Sequence, residues 1–272
     1  MSEFSTAFIG AGNMSRSIIG GLLASGVKAD SISASNPSDG PLEALRNLGL
    51  SQLAQDNTTV AKSADVVVLA VKPQRIRGVC EELADTMRDD QLVVSIATGV
   101  AAASLHRWLG AKAQVVRCMP NTPALLGAGA SGLFAQASVS AANRQRAEQI
   151  MRAVGIVRWV DEESLLHAVT AVAGSAPAYF FQFMEAMIDE AQRMGLDEES
   201  ARTLCANTCI GAGRMLAEGD CDAAELRRRV CSPKGTTERA VASFTAAGLE
   251  DVVSEAMQAC YARSQEIARE LS

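Results

Sequence analysis

The spacing at which apolar residues recur changes once along this chain, near residue 160, and that change limits the folds open to it. Before it, short apolar runs alternate with amphipathic stretches. STAFIG (5–10), SISAS (31–35) and ADVVVLAVKP (64–73) read as strands, with further strands over Leu92 to Ile96, Gln114 to Arg117, Gly132 to Ala135 and Ile156 to Trp159. Helices fall between most of them, from Met14 to Ala24 and near Leu42 to Leu48. Strand, crossover helix and strand in succession build a parallel sheet covered on both faces, so residues 1–163 are read as a doubly wound α/β domain with a late antiparallel edge. After Asp161 the apolar spacing turns to three and four through Leu165 to Ala173, Ala178 to Met194 and Ser200 to Leu216. Gly195 stops one helix there, and Asp197 is placed to cap the next. Residues 164–272 are therefore read as a second, all-helical domain.

Composition narrows the function. Apolar residues make up 48% of the 272 and aromatics only 4%, a balance suited to closely packed strands and helices. A formal net charge of −6, with basic residues scattered, leaves no field to hold a nucleic-acid backbone. The one dense basic run, Arg227 to Arg229, follows Glu225 and reads as a solvated helix face. Seven cysteines form no CxxC pair, and their odd number argues against a full disulfide framework, so a reducing compartment is expected. Cys205 and Cys209 lie at helical spacing without a His or acidic partner, which reads as buried packing rather than a metal site. No leader pattern and no run of about 18 apolar residues occurs, so the expected setting is cytoplasmic, away from membranes.

GAGNMS, from Gly10 to Ser15, follows the first strand and opens a helix, the context in which a glycine turn binds a dinucleotide. Gly10 and Gly12 let the backbone approach a pyrophosphate, and the helix N-terminus meets its charge. Ser15 stands where a third glycine is usual. At the carboxyl end of the second strand, Ser35, Asn36 and Ser38 replace the carboxylate that a reader of NAD needs, while Asp30 lies at the wrong end. Hydroxyls and an amide tolerate a 2′-phosphate, so NADP is the expected cofactor, with NADH an alternative donor. Val71, Lys72 and Pro73 fall at the carboxyl edge of the fourth strand, where Lys72 is within reach of phosphate or ribose, unless it is simply solvated.

Several stretches taken together, FIGAGNM, AVKPQ, RCMPNTP, AVAGSAPAYFF and above all RVCSPKGTTERAV, resemble pyrroline-5-carboxylate reductases, essentially from end to end. The resemblance implies a Rossmann-like N-terminal domain over 1–163, then a helical dimerisation and substrate-binding domain over 164–272. It implies NADPH-dependent reduction of L-1-pyrroline-5-carboxylate to L-proline. The cofactor contacts it carries over are Gly10, Ala11, Gly12, Asn13, Met14, Ser35, Pro37, Asn57, Val71, Lys72, Pro73, Ala97, Thr98 and Asn121. Substrate contacts map to Glu163, Ser232, Gly235, Thr236 and Thr237, with Thr237 as the catalytic candidate. The implied assembly is an intertwined homodimer with its active site near the interface, which in some members builds into a larger ring. The chain departs from the family's pattern at Ala176 and Lys234, where glycine is usual, and over Gly219 to Ala223.

The chemistry of a cyclic imine suits these residues. Reducing a ketone creates an alkoxide that needs a proton donor, yet the helical half has one lysine, Lys234, and one histidine, His167, the latter on an apolar stretch that reads as structural. A protonated imine already carries positive charge, so positioning supplies most of the catalysis. The SPKGTT loop offers the Ser232 hydroxyl and the N–H groups around Gly235 and Thr236 as a carboxylate cradle, and the Thr237 hydroxyl for the ring nitrogen. By its residues alone the same loop also reads as a plain turn and capping box. A β-hydroxyacid dehydrogenase would need a lysine between Gly174 and Leu216, where there is none. Reduction of another cyclic imino acid and a non-catalytic NADP-sensing dimer remain the alternatives.

Overall fold

The structure, a computed structural model, describes residues 4–110 and 113–271. The strands are β1 (Thr6–Ile9), β2 (Ile32–Ser35), β3 (Gln52–Ala54), β4 (Val66–Leu69), β5 (Leu92–Ser95), β6 (Gln114–Met119), β7 (Gly129–Ala135) and β8 (Gly155–Trp159). Between them lie α1 (Asn13–Ala24), α2 (Asp39–Arg46), α3 (Asn57–Ala61), α4 (Pro73–Leu83), α5 (Ala102–Leu109) and α6 (Ala141–Arg152). After β8 come α7 (Leu165–Val169), α8 (Ala176–Arg193), α9 (Glu198–Glu218), α10 (Ala223–Val230), α11 (Thr236–Ala246) and α12 (Leu249–Glu270).

The strands form one sheet in the order β3-β2-β1-β4-β5-β6-β7-β8. β1 to β6 are mutually parallel, β7 runs antiparallel to β6, and β8 pairs parallel with β7. The late antiparallel edge is thus two strands wide. β1, β2, β4 and β5 bury every residue, as strands covered on both faces must, and their side chains feed two cores. Phe8, Ile18, Val68 and Val94 lie in one core, and Ile9, Val67, Ile76 and Leu105 in the other. Burial also pushes the Cys80 and Cys118 thiols up to about 12, which makes them packing groups rather than nucleophiles.

Three details differ from the sequence reading. β3 was not read, because three half-exposed residues show no alternation. β7 begins three residues earlier than its apolar run, at Gly129. The stretch read as a single helix to Ala173 is α7 followed by a π-turn over Thr170–Gly174. Among the described residues no strand follows Trp159, and Asp197 caps α9 by accepting the Ser200 N–H at 2.8 Å.

By internal contacts the chain divides into one unit of Met1–Pro177 with Cys260–Ser272 and another of Ala178–Ala259. In the second unit the only buried apolar residues are Ala201 and Cys205. Phe180, Phe181, Leu204, Ile210, Val252 and Val253 are exposed there.

Candidate active site

In an open parallel sheet, ligands bind outside the carboxyl ends of the strands where the strand order reverses. Here that point lies between β1 and β4. Gly10, directly after β1, has φ +101°, and a Cβ on it would meet the Ala70 carbonyl oxygen, beyond the end of β4, at 2.7 Å. Only glycine fits there. The Gly10 N–H donates to the Ser35 carbonyl at 2.9 Å, and the Ser15 hydroxyl donates to the Gly10 carbonyl at 2.5 Å. Ser15 therefore closes the turn itself, where a third glycine would only leave room.

α1 starts at Gly12 with no capping side chain and no acidic residue in its first turn, and nothing lies within 4 Å of a Cβ built on Gly12. Uncapped N–H groups beside open space form an anion site that fits a pyrophosphate. Asn36 accepts from the Ala11 N–H at 3.3 Å and donates to Ser38, tying the end of β2 to the glycine turn. Asn36 was read from the sequence as part of the group at the end of β2, and its bond to the glycine turn is what the structure adds. The buried Ser35 hydroxyl donates to Asn57 at 2.7 Å, and Asn57 in turn donates to Glu82 at 3.0 Å. Pro37 is exposed at the same edge. Asp30 sits in the turn before β2, at the opposite end from this group.

The remaining expected cofactor residues lie at the same edge. Lys72, exposed, precedes α4, whose first residue is Pro73; Val71 packs against the core. Ala97 and Thr98 follow β5, where the Thr98 hydroxyl reaches Met119 Sδ at 3.7 Å. Asn121 follows β6 and is buried. Its amide donates to the Ala173 carbonyl at 3.1 Å and its oxygen accepts from the Ala130 N–H at 2.9 Å, so this side chain fixes β7 and the π-turn. Asn13 pairs with Arg16 on α1, and Met14 packs against the core.

Glu163 precedes α7 in the same unit. One carboxylate oxygen, Oε1, accepts from the Ala102 N–H at 2.6 Å, where α5 begins, and from the Arg117 guanidinium at 2.8 Å. His167 lies one helical turn further on. Its Nδ1 meets the Ser264 hydroxyl at 2.8 Å, and its ring stands edge-on to Tyr261. Burial, and then the nearby Arg117 charge, lower the His167 pKa from its ordinary 6.5, with Glu163 opposing them.

In the helical unit, the Gly235 N–H donates to the Ser232 carbonyl at 2.9 Å, making a tight turn that leads into α11. Lys234 has φ +62°, the only non-glycine in the left-handed region among the described residues, and its N–H donates to Glu238 at 2.6 Å. Gly235 caps α11 without a side chain, so the N–H groups of the first turn, which holds Thr236, Thr237 and Glu238, take no side-chain cap. The turn and the Lys234–Glu238 bond thus share one loop.

Comparison with known proteins accords with this arrangement. Residues 163–267 match the family described as pyrroline-5-carboxylate reductase dimerisation, and residues 5–99 match the family described as NADP oxidoreductase coenzyme F420-dependent. The chain is 50% identical over 271 residues to the pyrroline-5-carboxylate reductase of Pseudomonas aeruginosa, covering 100% of this chain and 99% of that one. The structure of a pyrroline-5-carboxylate reductase from Coxiella burnetii matches with a TM-score of 0.93 at 41% identity, covering 98% of this chain and 99% of that one. That of the Plasmodium falciparum pyrroline carboxylate reductase, solved with NADP bound, matches with a TM-score of 0.87 at 25% identity, covering 98% and 99%. Half-identity over the whole length, with the glycine turn and the SPKGTT loop both in place, means that this chain belongs to the pyrroline-5-carboxylate reductase family.

Proposed function

We propose that the chain reduces L-1-pyrroline-5-carboxylate to L-proline with NADPH, the last step of proline biosynthesis. The observation that carries this is the joint presence of an uncapped α1 at the glycine turn and an uncapped α11 at the SPKGTT turn, in a chain half-identical to a named reductase. The nicotinamide, when bound, supplies a hydride to the carbon of the C=N bond.

The chain's own residues bind and orient. The N–H groups of Gly12, Asn13 and Met14 and the turn at Gly10 and Ala11 hold the pyrophosphate. Ser35, Pro37 and Asn57 line the ribose side, where β2 ends in Ser35 followed by Asn36 rather than in a carboxylate, so NADPH is favoured over NADH. Val71, Lys72, Pro73, Ala97, Thr98 and Asn121 complete the cofactor edge. Ser232, Gly235 and Thr236 hold the substrate carboxylate, and the Thr237 hydroxyl hydrogen-bonds the ring nitrogen. With Oε1 of Glu163 committed, Oε2 takes no hydrogen bond among the described residues and is available to the nitrogen of the cationic imine. Because hydride addition neutralises that cation, no strong acid is required.

The same proposal sets the working division at residue 163, with residues 164–272 serving dimerisation and substrate binding in a cytoplasmic homodimer that assembles further into a ring. The exposed apolar residues of 178–259 support a dimer, since a surface of that kind needs a cover. Among the described residues no helix is long and apolar enough to cross a membrane. The test follows NADPH consumption with pyrroline-5-carboxylate and with its six-membered homologue. Oxidation driven by the five-membered ring is expected. Cofactor binding with no oxidation would make the chain a sensor, and faster turnover of the larger ring would reassign the substrate.

A further inference from the structure

Arg117 is an unexpected residue in its strand. It lies on β6 among Val115, Val116 and Cys118, all buried, and its own side chain is only 9% exposed. Taking a guanidinium out of water is unfavourable by several kcal/mol before any partner repays it, whereas an apolar side chain of similar length would pack there without that penalty. The reason for the charge has to lie in what it holds.

It holds Glu163 Oε1, the same oxygen that accepts from the first N–H of α5. Two donors on one oxygen fix both the position and the rotation of the carboxylate. The second oxygen is left unpaired among the described residues, on a side chain that is 28% exposed. The loop from β5 to α5 does not depend on this arrangement alone. Gly99 within it has φ +81°, and a Cβ there would meet Ile267 Cγ2 at 2.7 Å, so α12 seats the loop separately. Losing Arg117 therefore frees the Glu163 carboxylate to turn while Ala97 and Thr98 stay where they are.

We infer that Arg117 is a positioning residue for the reduction, which acts by presenting Glu163 Oε2 to the nitrogen of the imino-acid substrate. The inference rests on the reductase reading and deepens it. It is tested in the full-length protein with Arg117→Met, Arg117→Lys, Glu163→Gln and the double variant Arg117→Met with Glu163→Gln. The readouts are kcat and KM for pyrroline-5-carboxylate, the NADPH dissociation constant and Tm. Arg117→Met is expected to lose about 10- to 100-fold in kcat/KM for the imino acid, with NADPH affinity held within about threefold. Arg117→Lys recovers part of the loss. The double variant is no worse than about twofold below the poorer single, because both substitutions remove one interaction.

Losses that multiply in the double variant, NADPH affinity that falls as far as kcat/KM, or an Arg117→Met enzyme equal to the parent each overturn the inference. A parent chain that never turns over pyrroline-5-carboxylate sinks the reductase reading instead, and so is told apart from failure of Arg117 alone.

Discussion

Strands β1, β2, β4 and β5 of the sheet unit seal every side chain from solvent, whereas among the described residues of Ala178–Ala259 the apolar side chains sealed are Ala201 and Cys205. The sheet unit meets the demands of its own sequence. The helical unit does not. Its helices carry phenylalanine, methionine and leucine on exposed faces, so burial there needs a second copy. The two expected halves of the site inherit this contrast. The glycine turn is locked by hydrogen bonds to β2 and by steric limits at β4, while the SPKGTT turn rests on a unit whose stability is supplied by association.

Charging the helical face tests the contrast most severely. Ile210→Asp combined with Val253→Asp should convert the dimer to monomer and cut turnover by at least about 100-fold, since an unpaired charge buried in an interface is strongly unfavourable. Light scattering and the NADPH assay read both effects; an active monomer would mean that the helical unit is self-sufficient, and an active dimer would place the interface away from Ile210 and Val253.

In the sheet unit, Gly10→Ala forces a Cβ against the Ala70 carbonyl in a left-handed conformation. A loss of about 3 kcal/mol, with NADPH binding weakened, is expected from thermal unfolding and titration. Thr237→Ala should lower kcat by roughly 10- to 100-fold while leaving the NADPH dissociation constant unchanged, the size of one hydrogen bond to a reacting group. Equal loss of cofactor affinity would blur the division between the two regions.

Lys234→Gly removes side-chain strain at φ +62° but adds backbone freedom to the unfolded chain, so Tm should hold or rise by the equivalent of about 1 kcal/mol. A clear fall would show that the lysine makes a contact of its own.

The smallest effect is on pH dependence. The folded state lowers the His167 pKa below its ordinary 6.5, so the unfolded chain binds the proton more readily. The stability His167 contributes is complete above that value and is lost as pH falls through it towards the folded pKa. His167→Gln should flatten that part of the stability profile, and an unchanged slope would assign it to other groups.

The sheet was legible because strands buried on both faces leave unbroken apolar runs such as Val66 to Leu69, and the turn at Gly10 was legible because glycines between strand and helix have few other uses. Short or irregular pieces were not. β3 is too brief for a period to show, and the π-turn keeps the apolar spacing of the helix it interrupts. In the candidate site, the resemblance singled out Glu163 and Thr237, but it did not reveal that Glu163 is anchored by Arg117. That pairing joins residues 46 apart in sequence, and its one visible trace was a charge within an otherwise apolar strand.

The most direct measurement is a crystal structure of the assembled protein with NADP and proline bound. Proline should lie with its carboxylate on the Ser232 to Thr236 turn, its nitrogen near Thr237, and its ring against the nicotinamide held at the sheet edge. A proline bound away from that turn, or a nicotinamide that does not reach it, would contradict the joining of the two regions into one active site.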